Sequence, residues 1–294
     1  MQYGKRWIAF AYLQEMRPKQ WVKNVLVFAA PVFNGSLFRP DCLSKECLIF
    51  LAYCLASSGI YVFNDLIDAK TDRVHPDKCR RPIASGALTT VQGIAAAAAL
   101  LSSGLALAPC AHRHCLYALL VYVVANIAYS LKLKHVVIID VLLIASGFVL
   151  RALSGAMAVQ VAVTPWFVLC VLFLSLFLAL GKRRQELLSW QRSEIVEKRE
   201  VLRFYSLELI DQMMTIVTTA TIMCYALFAI DPNTKNSFAM VATIPLVLYG
   251  LFYYLYLVRV KHDRDSFENM LFKEVPLWAV SLIYCISIVC IRNF

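Results

Sequence analysis

The chain has 294 residues, of which 60% are hydrophobic and only 16% charged, with a formal net charge of +10. Soluble domains sit near ~45–50% apolar and ~25% charged, so this composition excludes an ordinary soluble domain and describes a chain solvated by lipid. The basic balance falls in short segments between apolar runs, which fits membrane topology rather than a nucleic-acid partner.

In chain order, residues 5–17 read as a short interfacial helix, with Trp7 and Phe10 toward lipid. It is no cleavable signal: Gln14, Glu15, Arg17 and Lys19 follow the apolar patch directly, without a small-residue cleavage site. A helix needs about 20 mostly apolar residues to cross about 30 Å of hydrocarbon. Runs that qualify are 22–38, 46–66, 90–108, 115–132, 136–158, 163–181, 207–230, 238–258 and 274–292. The first is the weakest, because Pro31, Asn34 and Gly35 interrupt it. The expectation is an all-α membrane bundle of nine transmembrane helices, since the backbone must satisfy itself in lipid.

Of the 29 lysines and arginines, 23 fall on one face of this nine-span topology, 5 on the other, and Arg151 within a span. By the positive-inside rule the N-terminus is cytoplasmic and the C-terminus outside. The expected organisation is one integral membrane domain over 1–294. It has a cytoplasmic interfacial segment at 1–21 and catalytic loops at about 64–89 and 182–206. The ten cysteines contain no CxxC pair and read as small buried hydrophobes, although Cys42/Cys47 and Cys110/Cys115 are close enough in sequence to pair.

The strongest local signal follows the second run. Asn64, Asp68 and Asp72 are spaced by four, and Asp65 lies three before Asp68. At 3.6 residues per turn these side chains share a helical face. Three carboxylates on one face need a cation, and oxygen ligands at a membrane mouth suit Mg²⁺, which bridges carboxylates to substrate phosphates. Lys78, Arg80 and Arg81 come next, and arginine forks match phosphate oxygens. Acid face and basic clamp together point to a pyrophosphate ester. The competing readings are a solvated helix end for the acids and a topological or headgroup role for the arginines.

The string N-D-x-x-D-x-x-x-D-x-x-H-P-x-K-x-x-R-P fits Asn64 to Pro82 without a gap. It resembles the aspartate-rich motif of the UbiA superfamily of intramembrane prenyltransferases. It is most similar to the branch whose members transfer a phosphoribosyl group to decaprenyl phosphate. RPKQWVKN (17–24), YSLKLK (129–134), the run 138–156 and GKRRQEL (181–187) support the same branch. The resemblance covers residues 17 to about 190 and implies a nine-helix UbiA-like bundle. Members that use prenyl diphosphates carry a second aspartate motif after the sixth span. Here that stretch reads GKRRQELLSWQRSEIVEKRE, with Glu186, Glu194, Glu197 and Glu200 but no paired aspartates. A second metal site is therefore doubtful, and Lys182, Arg183 and Arg184 suit anionic oxygens instead.

Other residues keep two readings. Arg151, deep in a span, lines a cavity or pairs with another helix; it lies about 16 Å along the helix from Asp140, too far for a direct pair. Asp140 binds ribose hydroxyls or merely starts a helix. Lys19, Lys23 and Asn24 hold the lipid phosphate or anchor the span. Tyr129 and Lys132 belong to the mouth or are an interfacial aromatic with a snorkelling lysine. His75 is a base or shapes its loop.

The resemblance implies a membrane transferase using phosphoribosyl pyrophosphate, Mg²⁺ and a polyprenyl phosphate, with no nucleic acid and with a homo-oligomer left open. Asp65, Asp68 and Asp72 with Asn64 are the expected metal residues. Lys78, Arg80, Arg81 and Lys182–Arg184 are the expected phosphate contacts, and Glu186 belongs to the same set. An aromatic prenyltransferase of the same superfamily is the nearest alternative, and a transporter the alternative of another class. The expected place is a bacterial cytoplasmic membrane.

Overall fold

In the computed structural model the described residues are 5–75, 78–192, 200–231, 236–261, 270 and 273–293; for residues 5–7, 191, 192 and 200 only the backbone is described. Among them every regular element is a helix. The α-helices are α1 (Lys5–Glu15), α2 (Ala29–Asn34), α3 (Pro40–Asp72), α4 (Thr90–Ala111), α5 (Arg113–Leu131) and α6 (Ile139–Ala158). They continue as α7 (Pro165–Arg192), α8 (Leu207–Ile230), α9 (Ser237–Val241), α10 (Ile244–Arg259) and α11 (Val275–Asn293).

Among the described residues eight helices are long and apolar enough to cross a membrane: α3 to α8, the stretch Ser237–Arg259, and α11. The ninth expected crossing, 22–38, differs in build. Pro18–Phe28 is an eleven-residue 3-10 helix that runs into the six-residue α2. The 3-10 geometry rises about 2.0 Å per residue, so this piece alone covers about 22 Å. Pro31 lies inside α2, where it denies the preceding turn a backbone hydrogen bond. Helix α3 has 33 residues, hence about 50 Å of length. That exceeds the hydrocarbon thickness, so the polar C-terminal turns of α3 extend past it. Helix α7 likewise continues through the charged Lys182–Arg184 run that composition alone reads as loop.

The chain divides into two compact units, Met1–Ala29 with Arg39–Lys134 and Leu150–Val161, and Ala30–Phe38 with His135–Val149 and Ala162–Phe294. In the first, α3 and α4 approach through small residues. A Cβ on Gly104 would lie 2.8 Å from the Ala52 carbonyl oxygen, and one on Gly155 only 1.9 Å from that of Val27. Small residues at such contacts give close backbone packing where lipid supplies no hydrophobic drive. Ile49, Ala52, Tyr53, Ala56, Leu119 and Tyr122 form the buried centre of this unit. In the second, Phe177, Leu187, Met214, Tyr254 and Leu257 pack between α7, α8 and α10. All ten cysteines are free, so neither loop pair is bridged.

Candidate functional site

The acid face of the first unit is the last two to three turns of α3. Asp65 and Asp72 are buried, 2% and 1% exposed, and Asp68 is partly exposed. Each carboxylate has a cation. Arg17 places one guanidinium nitrogen 2.6 Å and 2.5 Å from the two Asp65 oxygens. Arg81 bridges two acids, donating to Asp65 at 2.9 Å and to Asp72 at 2.6 Å. Lys78 lies 3.9 Å from Asp72, and Lys134 donates to Asp68 at 2.9 Å. The Asn64 amide donates to Asp68 at 3.1 Å, as the four-residue spacing requires. Four cations thus meet three carboxylates in this cluster.

Local structure aims these cations. Arg17 has a left-handed backbone (φ 52°) at the head of the 3-10 helix, directly before Pro18. Ser58 on α3 fixes that segment: its hydroxyl accepts from the Trp21 indole at 3.0 Å and donates to the Met16 carbonyl at 2.9 Å. The Arg17 guanidinium also lies 5.3 Å from the Tyr61 ring centroid. Arg81 rides on a packed turn in which Ile83, Ala84 and Leu88 are buried and Gly86 supplies φ +80°. The turn ends in a capping box, Thr89 with Gln92, that starts α4. His75 shapes the other side of this turn, its Nδ1 accepting from the Lys78 backbone N–H at 3.3 Å. Glu15, at the end of α1, is 2% exposed and hydrogen-bonded to Asp65. Burial first, then the Asp65 charge, pushes its carboxyl up to about 8, so it holds a proton at neutral pH.

Arg151 belongs to the same unit but to a different network. It is buried, donating to Asn24 Oδ1 and to the Tyr122 hydroxyl, both at 2.7 Å, with its guanidinium 4.7 Å from the Tyr122 ring centroid. Of the two readings of Arg151, this geometry supplies the interhelical one.

The second unit holds its own cluster. Asp140 starts α6, where the helix dipole favours an anion. It accepts from Arg183 at 2.6 Å and from the Tyr205 hydroxyl at 2.8 Å. Arg183 also reaches Glu186 at 2.5 Å, and Tyr205 accepts from the Ile138 backbone N–H at 2.8 Å. Burial raises the Tyr205 hydroxyl to about 12. Arg184 is bound to Asp211 at 2.9 Å and to the Val258 carbonyl at 2.8 Å.

The expected residues therefore separate into groups. Asn64, Asp65, Asp68, Asp72, Lys78 and Arg81 come together in one cluster. Arg80, Lys19 and Lys132 are exposed, while Lys23 and Tyr129 are half-buried. Asp140, Arg183 and Glu186 form the second cluster. The expected basic clamp at 182–184 is not an open one: Arg183 and Arg184 are buried against carboxylates, and only Lys182 is exposed. Continuation of α7 causes this, because successive helical residues point to different faces. Glu194 and Glu197 lie outside the described residues, as do the Trp7 and Glu200 side chains. Arg17, Glu15, Lys134 and Tyr205 are cluster members that were not expected. Arg17 and Lys134 lie in RPKQWVKN and YSLKLK, so the strings carried a signal that residue type alone did not resolve.

Three carboxylates and an amide oxygen on one helical face are the hard oxygen donors that Mg²⁺ prefers, so the donor set fits that ion. As placed, the three carboxylates share Arg17, Lys78, Arg81 and Lys134, and among the described residues no three His, Cys, Asp or Glu side chains are gathered close enough to hold a metal ion.

Membrane-length helices carrying an acid-and-base cluster at a helix end define an integral membrane protein equipped to handle anionic groups. The UbiA prenyltransferase family model matches residues 40–276. The decaprenyl-phosphate phosphoribosyltransferase of Corynebacterium glutamicum is 36% identical over 234 residues, 78% of this chain and 70% of that one. That of Mycolicibacterium smegmatis is 34% identical over 228 residues, 76% and 71% of the two chains. A UbiA homolog from Archaeoglobus fulgidus, solved bound to GPP and Mg²⁺, superposes with a TM-score of 0.75 at 16% identity, covering 97% of this chain and 100% of that one. The chain belongs to the UbiA prenyltransferase family and is a membrane transferase.

Proposed function

We propose that the protein transfers the 5-phosphoribosyl group of phosphoribosyl pyrophosphate to a polyprenyl phosphate at the cytoplasmic membrane face. Similarity at 33–36% identity to decaprenyl-phosphate phosphoribosyltransferases over most of the chain carries this reading. The charge arrangement suits it. A phosphate oxygen of the acceptor attacks the anomeric carbon, the bond from that carbon to the pyrophosphate oxygen breaks, and pyrophosphate leaves with the electron pair. The acceptor is already anionic at neutral pH, so no strong base is required. Arg81 and Lys78 orient the pyrophosphate, and Arg17 holds Asp65 in place beside it. Asn64, Asp65, Asp68 and Asp72 would hold Mg²⁺, which when bound neutralises charge developing on pyrophosphate. Of the Lys182–Arg184 run, Lys182 keeps the proposed role of anion contact.

The orientation is part of the proposal: reporter cysteines at Lys78 and at Arg113 are expected to react from opposite faces, with Lys78 cytoplasmic. The function itself is tested with Asp68→Asn and Asp72→Asn. Both keep side-chain size and lose charge, so insertion and purification are retained while transfer of labelled phosphoribosyl to the lipid phase and its Mg²⁺ dependence are lost. Near-normal activity and Mg²⁺ response in both variants would remove the metal assignment.

A further inference from the structure

Next to the acid cluster, within the first unit, α1, α3 and α4 enclose a cavity of about 370 Å³. That volume lies within the ~300–1,000 Å³ range of small-molecule sites. Tyr12 and Glu15 come from α1, Val62 from α3, and Ala96, Ala99 and Leu100 from α4. The cavity exists because α4 carries alanine at every position from 95 to 99. Ala97 is packed in the core, whereas Ala96, Ala99 and Leu100 fall at three- and four-residue spacing on a neighbouring face. Their short side chains leave the space beside α1 unfilled. Ala95 and Ala99 are exposed, so the cavity opens outward along a membrane-spanning helix.

Its polar end is specific. Glu15 is 2% exposed, and its Oε1 has no hydrogen-bond partner. The same carboxyl is hydrogen-bonded to Asp65, so the apolar space ends at the acid cluster. Arg17, two residues further on, is partly exposed at that end.

We propose that this cavity seats the first isoprene units of the acceptor, placing its phosphate at Arg17 beside the α3 carboxylate face. The inference rests on the proposed function and names where that substrate lies. Chemistry selects the occupant. Among the described residues the wall is aliphatic apart from the Tyr12 ring and the Met16 thioether, and its polar side-chain groups are the Tyr12 hydroxyl and the Glu15 carboxyl. A glycerophospholipid would place a glycerol and two ester groups between its phosphate and its chains, where the wall has only the Tyr12 hydroxyl and the Glu15 carboxyl to bond them, at a cost. A polyprenyl phosphate joins its phosphate directly to a methyl-branched hydrocarbon, which matches an apolar slot ending at an arginine.

The test uses the full chain with Ala96→Phe and Ala99→Phe. Each ring fills space that the chain would otherwise occupy. The KM for a long polyprenyl phosphate is expected to rise about tenfold, the equivalent of about two methylene groups kept from burial. The KM for phosphoribosyl pyrophosphate and the melting temperature stay near wild type. Wild-type protein is photolabelled in parallel with a diazirine-bearing prenyl phosphate, a readout independent of turnover. Label is expected in peptides spanning residues 12–16 and 95–100, displaced by unlabelled polyprenyl phosphate and not by phosphatidylglycerol. Label confined to other helices, or displaced equally by phosphatidylglycerol, overturns the proposal even if either variant loses stability. Failure of wild-type protein to modify any prenyl phosphate counts instead against the proposed function.

Discussion

The cluster around Asp65 and the cluster around Asp140 are built from the same residue types and differ in what surrounds them. Around Asp65, four cations share three carboxylates, and Arg17, Lys78, Arg81 and Lys134 are all partly exposed. Around Asp140, an arginine that is 1% exposed meets a carboxylate that is 0% exposed, Tyr205 donates to the same carboxylate, and Arg183 also holds the part-exposed Glu186. Shared and part-exposed pairs can exchange partners for a ligand at modest cost, because water and neighbouring charges compensate. A dry pair such as Arg183 with Asp140 cannot, because its break leaves a fully buried carboxylate without its cation. The first cluster is suited to binding, and the second to holding α6, α7 and the 200–206 segment together.

The largest expected effect follows from that contrast. Arg183→Ala strands Asp140 and is expected to lower stability by about 3–5 kcal/mol, read as a large fall in melting temperature in detergent. Arg183→Met combined with Asp140→Leu is expected to recover most of it. If Arg183→Ala melted like wild type, Arg183 would move from the structural group to the binding one.

Next comes the bridging cation of the first cluster. Arg81→Ala is expected to cost more than tenfold in transferase activity and less stability than Arg183→Ala, since its side chain is 27% exposed and Arg17 and Lys78 remain beside the buried Asp65 and Asp72. A loss of folding equal to that of Arg183→Ala would erase the distinction between the two regions.

Much of this was legible in the sequence. Of the nine crossings read from hydropathy, eight coincide with membrane-length helices, because lipid demands one continuous apolar run per helix, and the four-residue spacing of Asn64, Asp68 and Asp72 placed them on one face. What remained hidden required packing. Arg17 and Asp65 are 48 residues apart and Lys134 and Asp68 are 66 apart, so no local pattern pairs them. The Lys182–Arg184 run looked like a loop because charge usually ends a span; α7 instead continues, and turns two of the three charges inward against Asp140, Glu186 and Asp211.

A smaller effect concerns Glu15. Its folded carboxyl lies at about 8 against an ordinary 4.5, so the folded chain retains a proton that the unfolded chain releases between those values. Its contribution is complete below about pH 4.5 and is lost as pH rises toward 8. Glu15→Gln is expected to flatten the dependence of melting temperature on pH across that window, and an unchanged slope would place the proton elsewhere.

Smallest is Lys182→Ala. Because Lys182 is exposed, stability should move by no more than ~0.5 kcal/mol, while the KM for phosphoribosyl pyrophosphate rises. An unaltered KM would leave the whole 182–184 run structural.

The most direct test offers the purified protein two substrate pairs with Mg²⁺. One pair is phosphoribosyl pyrophosphate with a polyprenyl phosphate, and the other is a prenyl diphosphate with 4-hydroxybenzoate. Lipid-phase phosphoribosyl product from the first pair and nothing from the second is the predicted result. Turnover of the second pair without the first would contradict it and make the protein an aromatic prenyltransferase.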